Sequence, residues 1–318
     1  MAKTKYSLKD LVTITRNSIG VRSIFKQDVK IVEKDPSKRL QQLYQLLIAP
    51  ITDLLPTDPN QRVIFVPQGE LFLAPFPALQ DTQGKYLIEK HTILTSPSIQ
   101  VLQLTRQQLE RVQQVAAKDA IVVGNPTMPK LPSEYGDKPL QPLPGAKKEA
   151  DIIAPILNTR AITGSEATET AILARLSQAG IIQLATHGLF DDIQGLQGAV
   201  ALAPSATDNG LLTAEEILKQ KLNANLVVLS ACDTGRGRIT GDGVIGLSRS
   251  LISAGTPSVV VSLWAVPDAP TAELMKEFYT NMFEKKLDKA QALRQAMLKF
   301  KDKSPKNWAA FTLIGEAQ

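Results

Sequence analysis

Between Ala120 and Trp264 short runs of Val, Ile and Leu alternate with amphipathic stretches, and this alternation is the strongest constraint on the fold. The runs at 120–124, 181–186, 226–231 and 258–264 are apolar throughout rather than alternately apolar and polar, the pattern of strands buried on both faces. Helical spacing fills the intervals at 147–157, 171–176, 213–219 and 244–254, and Thr168-Glu-Thr-Ala has the composition of a helix cap. Strand, helix and strand in succession imply crossover connections, so the expected fold is α/β, a mostly parallel sheet flanked by helices. Shorter strands are expected near 161–162, 200–202 and 311–314.

Upstream, residues 38–55 read as an amphipathic helix ending near Pro50 or Pro56. Val63–Pro67 reads as a short strand that turns at 68–70 and returns through Pro75 and Pro77, a hairpin-like unit. Residues 98–116 are helical in spacing, whereas 125–144 hold six prolines and are expected as an extended surface loop, a lid or processing site. The sequence thus divides into a basic arm or linker at 1–37 and one large domain at 38–318.

Charge supports that division and removes one class of function. Of 36 Lys/Arg and 31 Asp/Glu, residues 1–50 hold 10 and 4, which leaves the remainder with 26 against 27. The net charge of +5 therefore belongs to the N-terminal segment, where basic residues mixed with Leu, Ile and Val read as a solvated helix face, and no nucleic-acid partner is expected. The longest apolar runs are too short to span a bilayer and the first residues lack a signal-peptide core, so neither membrane nor export is expected and the location is read as cytoplasmic. A single cysteine forms no internal disulfide, in keeping with a reducing compartment.

That cysteine is where chemistry becomes legible. Cys232 follows the run at 226–231, and His187, one of two histidines, follows the run at 181–186. Parallel strands deliver both to one sheet edge, outside the carboxyl ends, where open α/β sheets bind ligands. A thiol near its ordinary pKa of about 8.5 needs an imidazole to supply thiolate, which assigns His187 as base and Cys232 as nucleophile. Amides of Gly188 and Cys232 are candidate oxyanion donors for acyl transfer. The plain alternative is that a lone cysteine in an apolar strand is a small buried hydrophobe. The two-strand pairing favours the catalytic reading, and the separation of 45 positions is close to the caspase order, histidine first. Asp191 and Asp192 follow the histidine and read as solvated. Asp233 and Asp268 are candidates for holding a basic P1 side chain, with Trp264 as a pocket wall, and turn capping is the equal alternative. Arg236 and Arg238 suggest a self-processing site, against a stronger reading as solvated loop residues. His91 has no matching chemistry nearby and reads as structural, and no metal-ligand cluster or cofactor fingerprint is found.

An ordered set of motifs adds to this. Leu184-Ala-Thr-His-Gly188, Leu229-Ser-Ala-Cys-Asp-Thr-Gly235, Gly243-Val-Ile-Gly-Leu247 and Ser262-Leu-Trp-Ala-Val-Pro-Asp268 resemble the CHAT family, a caspase-like peptidase domain often fused to tetratricopeptide repeats. Pro67-Gln-Gly-Glu-Leu71, Pro75-Phe-Pro-Ala-Leu79, Leu143-Pro-Gly145 and Trp308-Ala-Ala-Phe311 extend the resemblance over about Leu40 to Gly315. The resemblance implies a caspase-hemoglobinase-like three-layer sandwich and a cysteine endopeptidase that passes through a thioester on Cys232 with His187 as base. It implies no cofactor, a protein or peptide substrate, and gating by a repeat module or regulatory protein, although no repeat of recognisable period is present here. A catalytically silent scaffold on the same fold is the rival from another class, and a thioester or amide hydrolase or acyltransferase is the third reading.

Overall fold

The computed structural model describes residues 6–21, 35–115, 119–131, 139–189, 198–230 and 241–318, with backbone alone for 241–245 and 268. The strands in chain order are β1 (Arg62–Phe65), β2 (Thr92–Thr95), β3 (Asp119–Pro126), β4 (Ala161–Gly164), β5 (Ala179–Ala185), β6 (Gly188–Leu189), β7 (Ala199–Ala201), β8 (Leu211–Thr213), β9 (Leu226–Leu229), β10 (Ser258–Ser262) and β11 (Phe311–Gly315). The helices are α1 (Leu8–Ser18), α2 (Pro36–Leu47), α3 (Leu87–Lys90), α4 (Ile99–Gln113), α5 (Pro144–Ile156), α6 (Glu169–Leu176), α7 (Ala214–Leu218), α8 (Gly241–Ser253), α9 (Asp268–Phe283) and α10 (Lys289–Lys299).

Eight strands form the central sheet in the order β1, β2, β11, β10, β9, β5, β3, β4. All neighbours are parallel except β10 and β11, where the chain closes antiparallel. The four apolar runs of the sequence are the centre of this sheet, and Ile121, Val122, Val123, Val227, Val228, Val259 and Val260 are wholly buried. Strands of this kind need cover on both sides. One cover is α5, α9 and α10, which pack on one another, and the connections through α6, α7 and α8 run the other way across the sheet.

Two local expectations are corrected. The segment at 63–79 is not a hairpin: β1 pairs in parallel with β2, Arg62 opposite Thr92, while 69–73 and 76–78 coil into 3-10 turns. Pro75 and Pro77 cannot donate to a ladder, which is why this stretch leaves the sheet. The strand near 200–202 belongs to a separate antiparallel sheet of β6, β7 and β8.

Within the basic segment, α1 is docked rather than solvated on all sides. Ser7 and Asp10 form a capping box at its start, and Leu11, Val12 and Ile14 are buried. Arg16 points inward, donating to the carbonyls of Leu73 (3.0 Å) and Leu263 (2.9 Å) with its guanidinium 5.3 Å above the Trp264 ring.

Candidate active site

The chain reverses its direction across the sheet after β3: β4 lies on one side of it and β5 on the other. Such a switch point opens a crevice at the carboxyl end of the strands, where connections diverge. The residues that follow β3, β5, β9 and β10 meet there.

His187 follows β5 by two residues and is fully buried. Its carbonyl accepts from Ala201 N (2.9 Å) and the neighbouring Thr186 hydroxyl donates to Ala201 O (2.8 Å), so β7 fixes the backbone on which the imidazole stands. The ring is fixed as well, because Nε2 lies 2.6 Å from the carbonyl oxygen of Gln141. A carbonyl only accepts, so Nε2 carries the hydrogen and, in the neutral ring, Nδ1 carries the basic lone pair.

Gln141 comes from the Pro-rich segment, which is not a loose surface loop where it is described. Lys130 and Pro139 form an antiparallel bridge, Leu131 and Leu140 are buried against Ala201, and Leu143 N donates to Asn125 Oδ1 (2.7 Å). Proline rings removed donors that the strap does not need, and the apolar Leu131 and Leu140 supply the anchorage that a count of prolines conceals.

Cys232 and Asp233 lie outside the described residues, as do Asp191, Asp192, Arg236 and Arg238. The strands that carry the pair are described. β5 and β9 are parallel neighbours with Ile181 opposite Leu226 and Leu184 opposite Leu229, an offset of 45 positions at each pair. Counted along the chain, Cys232 follows Leu229 by three residues, as His187 follows Leu184. Gly188 opens β6, opposite Val200. Asp268 begins α9. Trp264 is 1% exposed, its Nε1 donates to Lys306 O (2.8 Å), and the Arg16 guanidinium stands over its ring. His91 is buried, and burial followed by the charges of Lys90 and Arg294 holds its imidazole below the ordinary range, which suits a structural residue.

Beside Thr186, which precedes His187 in the chain, lies a cavity of about 80 Å³ that the sequence did not reveal. Leu143, Ala146, Ala265, Val266 and Phe311 give it apolar walls, while Thr186, Ser230 and Glu149 line its polar side. Glu149 belongs to α5, which approaches β3 closely: a Cβ on Gly124 would stand 2.4 Å from Ala150 Cβ and 2.5 Å from Ala146 O. Only a glycine lets the helix sit this low over the strand end. Glu149, 3% exposed, accepts at Oε1 from Ser230 Oγ (2.5 Å) and Gln183 Nε2 (2.7 Å). Gln183 Nε2 also reaches Ser230 Oγ (2.8 Å), and the Tyr279 hydroxyl donates to Gln183 Oε1 (2.8 Å). Burial first, then the charge of Glu149, holds the Tyr279 phenol well above its usual range, so it remains a donor. A sequence signal for Glu149 did exist, since it shares the buried face of α5 with Ala146, Ala150 and Ile153.

Among the described residues no group of three or more His, Cys, Asp or Glu side chains is placed to hold a metal ion, and no helix is long and apolar enough to cross a membrane.

Comparison with known proteins places the chain. Tetratricopeptide repeat protein 28 of Homo sapiens is 31% identical over 329 aligned residues, covering 87% of this chain, and its Mus musculus counterpart is 30% identical. The chain spans 13% of the length of either relative. Among solved structures, the Saccharomyces cerevisiae separase–securin complex is 16% identical with a TM-score of 0.44, covering 76% of this chain and 14% of that one. The Arg-specific cysteine proteinase gingipain R is 11% identical with a TM-score of 0.49, covering 98% and 74%. The model of the CHAT domain matches residues 37–316, and by that match and the identity to the repeat proteins the chain belongs to the CHAT domain family.

Proposed function

We propose that the chain is a cysteine endopeptidase acting on a protein or peptide in the cytoplasm, with His187 as base and Cys232 as nucleophile. The observation that carries this reading is the orientation of His187: a buried imidazole whose Nε2 is committed to the Gln141 carbonyl (2.6 Å), beside the parallel strand that leads to Cys232. Adjacent strands lie about 4.8 Å apart, which suits transfer between residues at equivalent positions beyond both. In this reading Nδ1 takes the thiol proton, and the thiolate attacks the scissile carbonyl carbon. The amides of Gly188 and Cys232 hold the oxyanion while the imidazolium returns its proton to the leaving amine and the C–N bond breaks. Water then attacks the thioester, giving its proton to His187, and releases the acid and the thiol.

A basic P1 preference and gating by a partner complete the reading. The curated relatives are named for tetratricopeptide repeats and are far longer than this chain, which supports a repeat module or regulatory protein as that partner. The test is labelling of the whole chain by acyloxymethyl-ketone peptides, followed by intact mass, in wild type, Cys232→Ala and His187→Ala. Labelling of wild type alone is expected. No labelling of a folded chain, alone or with a repeat partner, would replace the peptidase by a catalytically silent interaction domain.

A further inference from the structure

The strap that brings the Gln141 carbonyl to His187 begins at Asn125, a residue that no step of the proposed reaction uses. Asn125 is the bulged residue of β3: the pairing with β4 passes from Gly124 opposite Thr163 directly to Pro126 opposite Gly164, and Asn125 is left over with a φ of 47°. That is the left-handed region, unfavourable for most residues with a Cβ, and asparagine is among the few side chains enriched there. Pro126 adds a second restriction, because the residue before a proline is pushed toward extended backbone. Strain of this kind persists only where surrounding contacts impose it, and bulges at strand ends commonly re-aim a side chain. Here the side chain meets the returning end of the strap, where Asn125 Oδ1 accepts from Leu143 N (2.7 Å).

We propose that Asn125 is a positioning residue for His187: it closes the strap at the point that sets the direction of the Gln141 carbonyl, and thereby decides which imidazole nitrogen carries the proton. The inference rests on the peptidase reading for the use made of His187, and on the strap alone for the control of its ring. Leu143 stands two residues after Gln141, with Pro142 between them. A proline ring holds its own φ near −65° and confines the ψ of the residue before it, which is the torsion that aims that residue's carbonyl. The link from Leu143 back to Gln141 is therefore stiff, and a fixed Leu143 amide fixes the oxygen that lies 2.6 Å from Nε2. On the other side of Gln141, Leu140 is buried against Ala201, so the carbonyl is held between an apolar anchor and a hydrogen-bonded one. Gln141 and Pro142 are themselves exposed and act through the backbone. A glycine at 125 would adopt the same φ at no cost but would offer Leu143 no acceptor, whereas asparagine supplies both. The Leu143-Pro-Gly145 motif thus has a partner in the strand that ends at Asn125 and Pro126.

The experiment reads the tautomer of His187 from imidazole nitrogen-15 shifts at about pH 8.5, where an ordinary ring is neutral, in the full chain carrying Cys232→Ala so that no thiol takes up the ring's proton. The chain has two histidines, and His91 serves as the internal reference. Asn125→Gly keeps the left-handed backbone and removes the acceptor, while Asn125→Asp keeps both. The tautomer protonated at Nε2 is expected to dominate with Asn125 and with Asn125→Asp, and to fall to a mixture of both tautomers in Asn125→Gly. With Cys232 intact, Asn125→Gly is expected to slow labelling by acyloxymethyl-ketone peptides roughly 10–100-fold, the range of a displaced catalytic group, and Asn125→Asp to label near the wild-type rate. A purely structural role would lower the melt of Asn125→Gly and leave the tautomer alone. Should Asn125→Gly fail to fold, Pro142→Gly at its exposed position keeps the bond, frees Gln141 from it, and is expected to shift the tautomer in the same sense. An unaltered tautomer in folded Asn125→Gly or in Pro142→Gly, or an equal loss in Asn125→Asp, would overturn the assignment. A tautomer that follows Asn125 in a chain that no probe labels would keep the positioning role and sink the peptidase.

Discussion

Replacing Arg16 by Met tests whether α1 is part of the folding unit, although it precedes the family match at residue 37. Arg16 is 9% exposed and gives two hydrogen bonds to backbone carbonyls, at 3.0 and 2.9 Å, beneath which the Trp264 ring lies 5.3 Å from the guanidinium. Bonds from a charged donor contribute about 1.5–3 kcal/mol each. The cation over the indole face adds roughly 0.5–2 kcal/mol at this degree of burial. Against these gains stands the cost of keeping a guanidinium from water, several kcal/mol, which Met does not bear. Met keeps the stem's packing but leaves the Leu73 and Leu263 carbonyls unpaired by it, so the net loss comes to about 2–4 kcal/mol. At about 2.1 cal/mol/K per residue, a chain of 318 residues moves its midpoint by about 1.5 °C for each kcal/mol, so thermal unfolding followed by near-ultraviolet dichroism should fall by roughly 3–6 °C. Arg16→Lys keeps the charge without the fork and should fall between the two. Because Leu263 leads directly into Ala265 and Val266 at the cavity, Arg16→Met should also slow probe labelling below the melting range. A melt within about 1 °C of wild type would show that α1 is not held through this residue.

Three further outcomes follow from buried polar groups and close packing. Glu169 is pushed up to about 7, by burial first and then by the charges of Glu216 and Asp208. Between pH 4.5 and 7 the folded chain therefore keeps a proton that the unfolded chain has lost, and stability falls as pH rises through that window. Glu169→Gln should accordingly stabilise at pH 8 by about 1–3 kcal/mol more than at pH 4, in paired denaturant melts, and equal shifts at both would refute it. Gln183→Leu removes partners of Glu149, Ser230 and Tyr279 at a site with no exposure and should cost about 2–4 kcal/mol in urea unfolding; a neutral change would mean that the network is solvated. Gly124→Val should lift α5 from β3, costing about 1–3 kcal/mol or more and cutting probe labelling beyond what the melt explains; unchanged labelling would detach Glu149 from the site.

The central sheet was legible because its strands are buried on both faces and so write themselves as continuous apolar runs. What misled was the periphery, where burial is partial. Val63–Pro67 has the composition of a hairpin arm, yet its partner is β2, about 30 residues on, and no local signal encodes a parallel pairing across α3. The arm reading of residues 1–37 followed from a charge count, which averages over faces. Leu11, Val12, Ile14 and Arg16 face inward from a helix whose remaining positions are mostly polar. Trp264 was placed at the pocket by nearness in sequence to Asp268, and its ring is buried beneath Arg16.

At the site itself the division is chemical. Cys232 and His187 are rare residues that each follow an apolar run of the sequence, which makes them legible as candidates. Glu149 was visible in principle, since a carboxylate at the i and i+3 spacing of Ala146, Glu149 and Ala150–Ile153 on one helix face is an acid in an apolar stripe. It passes for a solvated residue unless the stripe is traced first. Gln141 could not have been found this way at all. What it supplies is a backbone carbonyl, which every residue possesses, and what places that carbonyl 2.6 Å from Nε2 is the seating of Leu131 and Leu140 on Ala201 some way along the strap. Substituting Gln141 should therefore leave the tautomer of His187 intact, whereas Leu140→Asp, which unseats the strap, should alter it. Nitrogen-15 shifts of the imidazole in the two variants decide the matter: an altered Nε2 signal in Gln141→Ala, or an unaltered one in a folded Leu140→Asp, would mean that the His187 ring is set by something other than the strap's backbone.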